Sequence, residues 1–232
     1  MYEQRKRVSR RRLLAGGAAG LTVVAAQSAH PALAAPPASA DVAILRVAAG
    51  LEMVLVSVYE RVISIPQVGG PGAIGLLSSL ASNALAHHRE HLAALQSALA
   101  GAGGSPQRRA DAHYQPVADS LIAALRKAPA ADVPLKAAQL CATFEDIAAQ
   151  SYTLAAAGLD GAATRALVAS ICGVEAQHLA AATAIGTVLA DHNERLLTPA
   201  VDTAALPPAA VTASLSSSMI ATGSADPALR GL

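Results

Sequence analysis

The 232-residue chain is 53% hydrophobic, 14% charged and 2% aromatic, with 17 Lys/Arg against 16 Asp/Glu. That supplies one ordinary domain core, though one poor in large rings. The dominance of alanine and leucine argues for closely packed helices rather than a sheet, and the lack of a basic patch interleaved with aromatics argues against nucleic acid as a partner.

Residues 1–34 read as an export signal: a basic start, an apolar run from Leu13 to Ala26, and a small-residue exit with a cleavage site at Ala32 to Ala34. In "SRRRLLAGG", Arg10 and Arg11 follow Ser9, and Leu13 and Leu14 come one residue later. This resembles the signal read by the twin-arginine (Tat) exporter, which moves proteins already folded, often with metal inserted. The apolar run is too short to span a bilayer comfortably. The resemblance implies Tat machinery as a partner and a mature protein in the periplasm, cell envelope or extracellular space, without a stable transmembrane segment; an uncleaved signal anchor is the alternative. Six basic residues and one acidic residue lie in the first 34, leaving 11 against 15, so the mature protein is mildly acidic.

Apolar residues recur at helical spacing from Asp41 to Ile63, where Pro66 and "GGPG" at 69–72 break the pattern. A second helix is expected from about Ile74 to Ala100, stopped by "GAGG" at 101–104. A long connection follows, with Pro106, Pro116, Pro129 and Pro134 and a short helical piece around Val117 to Lys127. A third helix is expected from about Pro134 to Ala157, with Asp132 placed to cap it and Pro134 in its first turn. "GLDGA" at 158–162 reads as a tight turn before a fourth helix ending near Asp191. Two hairpins joined by one long crossover match the connectivity of ferritin-like bundles. This places a four-helix domain at 35–191 and an extension at 192–232, with a short helix near Pro208 to Met219 and a disordered last dozen residues.

The chemistry-bearing residues fall at corresponding places in the two halves. Glu52 precedes Tyr59 by seven residues and Glu145 precedes Tyr152 by seven, so each tyrosine shares a helix face with its glutamate. Helix four offers Glu175 and His178 three apart, and helix two offers His88 and His91 at the same spacing. The separation from Glu52 to Glu145 is 93 positions, and those from His88 to Glu175 and from His91 to His178 are both 87. Glu145 and Glu175 each lie fifteen residues from Asp160 in the second turn, and Glu52 and His88 each eighteen from Gly70 in the first, so each pair shares one level.

On these residues the chain resembles the ferritin-like superfamily, in particular exported bacterial ferritin-like domain proteins, over residues 41 to about 191. That resemblance implies an all-α fold with metal held inside the bundle by a glutamate from helices one and three and Glu-x-x-His from helices two and four. Carried over, the ligands are Glu52, His91, Glu145, Glu175 and His178, with His88 where the pattern has glutamate. Three carboxylates and three imidazoles replace the usual four and two. The set implies one or two metal ions, and iron, zinc or copper suits it better than manganese, with iron favoured. Tyr59 and Tyr152 are expected to hydrogen-bond the ligand carboxylates. The resemblance implies oxidation of iron, disposal of peroxide or metal homeostasis; the competing reading is a non-enzymatic bundle whose site is a structural clip or has lost metal. Catalytic residues are unassigned, and a homo-oligomer is left open.

His87, Glu90 and His113 read as surface groups, Glu90 lying about 200° around its helix from His88. Cys141 and Cys172 are out of step by seven residues about the second turn, roughly 10 Å along the helices, too far for a disulfide. Both are expected as free buried thiols, Cys141 near the level of His178, where it is a further candidate ligand.

Overall fold

The computed structural model describes residues 39–197 and 226–229. The export signal expected at residues 1–34 and the helix expected near Pro208 to Met219 lie outside them. The described residues form α1 (Ser39–Ile63), α2 (Pro66–Gly69), α3 (Gly75–Gly101), α4 (Tyr114–Arg126), α5 (Val133–Gly158) and α6 (Ala162–Ala190). Short 3-10 turns occupy Ala130–Asp132, Glu194–Leu197 and Pro227–Leu229.

The long helices pack as two hairpins, α1 with α3 and α5 with α6, closed into one bundle by α1 against α5 and α3 against α6. The crossover from α3 to α5 carries α4, which lies on α1 and α5. The all-α architecture expected from connectivity is therefore the one observed. The core is aliphatic, built from residues such as Leu45, Val54, Leu95 and Ile122, with Phe144, Tyr59, Tyr114 and Tyr152 as its large rings.

Local chemistry sets the ends. Gly103, at φ 76°, closes α3: its N–H bonds Ala100 O at 2.9 Å and that of Gly104 bonds Leu99 O at 2.8 Å, a Schellman ending. His192 closes α6 the same way at φ 50°, with Asn193 N–H on Val188 O. Asp132 stands at the start of α5 but does not cap it. It ends a 3-10 turn in helical conformation, and its carboxylate instead accepts from Lys136 Nζ at 3.2 Å.

The α5–α6 turn is fixed to the start of α1. Buried Asp41 accepts from the backbone N–H of Asp160 at 2.8 Å and of Gly161 at 3.0 Å. A side chain at Gly161 would place a Cβ 3.0 Å from that carboxylate, so glycine permits the approach. Part of the tail expected to be disordered is docked: Asp226 N–H donates to Ser151 Oγ at 2.7 Å, and Leu229 is buried in the core.

Helices α1 and α6 are long and apolar enough to cross a membrane by length and composition. Both also contribute carboxylates to the bundle interior, and their apolar faces form part of its core.

Candidate metal centre

All six side chains singled out by spacing converge. Glu52 comes from α1, His88 and His91 from α3, Glu145 from α5, and Glu175 and His178 from α6. Glu52, His88, Glu145 and Glu175 are fully buried; His178 and His91 are mostly so, and they mark the edge nearest solvent.

His88 lies at the middle. Its Nδ1 is 3.0 Å from Glu52 Oε2 and 3.6 Å from Glu175 Oε1, and its Nε2 is 3.2 Å from Glu145 Oε1. Glu175 spans the centre the other way, with Oε1 2.8 Å from His91 Nδ1 and Oε2 3.3 Å from His178 Nδ1. Two overlapping groups result, Glu52, His88, His91 and Glu175, and His88, Glu145, Glu175 and His178, each with its ligand atoms within 4.8 Å of one another. Either group could hold a metal ion, and they share His88 and Glu175.

The pairing is incomplete in a way that suits a cation. His91 Nδ1, Glu175 Oε1 and Glu145 Oε2 are buried without a hydrogen-bond partner. His91 Nδ1 and Glu175 Oε1 are 2.8 Å apart yet out of line for a hydrogen bond, as two ligands of one ion would be. Buried polar atoms are otherwise almost always satisfied, because each orphan costs about 1–3 kcal/mol.

Two tyrosines hold the carboxylates, by an exchange that the shared-face reading does not contain. Tyr59 on α1 donates to Glu145 on α5, and Tyr152 on α5 donates to Glu52 on α1 at 2.5 Å. Burial pushes both phenols well above their ordinary pKa, aided by Cys141 and Glu145 at Tyr59 and by Glu52 at Tyr152, so both remain donors.

In the absence of a cation, protons balance the charge. Burial opposes ionisation of every group here, but His88 is held well above its ordinary range by Glu145 and Glu175. His91, beside Glu175 and Glu52, and His178, beside Glu145 and Glu175, are each raised to about 9. Burial of Glu145 is outweighed by His88 and His178, which hold its carboxyl low; His88 and His91 do the same for Glu52. Glu175 goes the other way, pushed up to about 7 by burial and then by Glu145.

The remaining candidates separate. Glu90 and His113 are exposed, as expected. His87 is also exposed, but its Nδ1 lies 2.9 Å from His178 Nε2, a contact that spacing along α3 did not reveal. Cys141 and Cys172 are free thiols, one buried and the other half-buried. Cys141 belongs to neither ligand group, and burial with Glu145 nearby pushes its thiol to about 12. Cys172 leans on Ala149 O and Thr153 Oγ1.

Residues 40–187 match the sequence model of the ferritin-like domain. No curated protein and no solved structure shows significant similarity to the chain.

Proposed function

Because the chain belongs to the ferritin-like domain family, we propose that it is an exported protein whose buried centre holds one or two transition-metal ions. The observation that carries this reading is the set of buried nitrogen and oxygen atoms without hydrogen-bond partners at His91, Glu145 and Glu175, inside a ring of candidate ligands from all four long helices. Glu52, His88, His91 and Glu175 would hold one ion, and Glu145, Glu175 and His178 would remain for a second, since a neutral His88 offers one nitrogen to one ion.

Three imidazoles among six donors favour iron, zinc or copper over manganese. We take iron as the resident metal, where it would supply redox chemistry toward oxygen or peroxide. The protein's own part is to exclude water, to orient Glu52 and Glu145 through Tyr152 and Tyr59, and to give up protons from His88, His91 and His178 when a cation is loaded. The Tat-type leader fits this reading, since export of a folded chain preserves a metal inserted beforehand. Replacing Arg10 and Arg11 by lysine is expected to retain the protein in the cytoplasm.

One observation favours the alternative, a non-enzymatic bundle whose site is a structural clip or has lost metal. Both nitrogens of His88 already pair with carboxylates, Glu52 and Glu145, so part of the centre is satisfied without a cation. The two readings part in one assay: anaerobic loading with ferrous iron, then addition of oxygen or peroxide, comparing the wild type with Glu145→Gln. Oxidant consumption that depends on Glu145 supports the redox reading. Tight metal binding with no consumption supports the clip.

A further inference from the structure

We propose that His87 is a positioning residue for the centre, accepting the Nε2 proton of the His178 imidazole so that, once a cation displaces the proton on Nδ1, that nitrogen is aimed at the ion; this rests on the metal-binding reading above. His87 immediately precedes His88 and is therefore turned about 100° away from it, off the bundle interior and toward the solvent edge beside α6. Its Nδ1 lies 2.9 Å from His178 Nε2, and the two ring planes are inclined by only 10°.

His178 turns its other nitrogen inward. Nδ1 is 3.3 Å from Glu175 Oε2 and 3.5 Å from Glu145 Oε1, within the second ligand group. A neutral imidazole can offer Nδ1 as a ligand only when its proton is on Nε2, and that N–H then needs an acceptor. His87 Nδ1 is at the right distance to be that acceptor. Because it is an imidazole and not a carboxylate, it orients His178 without adding to the negative charge of a centre already holding three carboxylates. It also links His178 directly to the surface, since His87 itself is exposed.

The test uses zinc, which is diamagnetic and suits imidazole and carboxylate donors. Zinc affinity is measured by chelator competition for the mature chain, His87→Ala and His87→Asn, whose amide oxygen can occupy the position of Nδ1. Loss of a partner behind a ligating histidine typically costs 10–100-fold in affinity; water can reach this edge, so we expect roughly tenfold for His87→Ala and recovery to within about threefold for His87→Asn. Nitrogen-15 spectra of the zinc-loaded wild type should show His178 protonated at Nε2, with an exchange-protected proton that His87→Ala loses. Melting of the metal-free proteins should be the same for all three, separating orientation from folding. Equal affinity and an equal His178 signal in wild type and His87→Ala would overturn the inference and leave the metal reading standing. A wild type that fails to take up zinc or iron would overturn the metal reading beneath it.

Discussion

Tyr152 on α5 donates a hydrogen bond to Glu52 on α1, which lies 2.5 Å away and 100 residues earlier, and Tyr59 returns the same bond to Glu145. The exchange locks α1 to α5 at the level of the centre. Tyr152→Phe would leave Glu52 Oε1 buried without its donor. A hydrogen bond to a charged group contributes about 1.5–3 kcal/mol, so a loss of roughly 2 kcal/mol is expected in urea denaturation, with weaker metal binding as Glu52 is freed to turn.

Glu145 and Glu175 should respond differently to neutralisation. Glu145 is held ionised between His88 and His178, so Glu145→Gln strands buried imidazolium charge and is expected to cost about 3 kcal/mol in the metal-free protein. Glu175, pushed up to about 7, is already partly protonated at neutral pH. Its glutamine mimic should change metal-free stability by less than about 1 kcal/mol. Both variants should lose metal. Equal destabilisation by the two would contradict the charge arrangement described here.

The metal-free protein should be most stable in mildly acidic solution. His91 and His178 are raised from 6.5 to about 9, so their contribution is complete below pH 6.5 and is lost as pH climbs to about 9. Glu175 is raised from 4.5 to about 7 and therefore costs stability as pH rises over that interval. Glu52 and Glu145 are lowered, and their contribution disappears as pH falls below 4.5. Melting temperature against pH should show this maximum. Metal affinity should rise with pH over the same alkaline range, because loading displaces the histidine protons.

His88→Glu should convert the centre to four carboxylates and two imidazoles. With metal absent, one more buried carboxylate and one fewer imidazolium should destabilise the fold by about 3 kcal/mol. With metal present, the bound equivalents per chain should rise toward two. Denaturation and elemental analysis of the same preparations check both arms.

Much of this centre was legible in the sequence because helical spacing is rigid. Glu175 and His178 share a face wherever the helix forms, and counting outward from Asp160 and Gly70 put the candidate ligands at one depth. Cysteine separation followed from the same arithmetic. What spacing could not supply was the relation between hairpins. Tyr59 shares a face with Glu52, but α1 and α5 run antiparallel, so seven residues along one helix reach the glutamate of the other. His87 was hidden for a related reason: reading α3 alone turns it to the surface, and only the placement of α6 brings His178 to it. Asp132 failed as a cap because the preceding 3-10 turn fixes its backbone in helical conformation, a local detail its residue type does not encode.

The most direct measurement of whether the four helices cage a cation is elemental analysis of the protein purified from its native host, paired with melting before and after chelation. We expect one or two equivalents of transition metal per chain. Chelation should lower the melting temperature, since an ion present at 100 times its Kd stabilises the fold by about 2.7 kcal/mol. Metal-free protein whose melting is indifferent to both chelator and added iron would contradict the account.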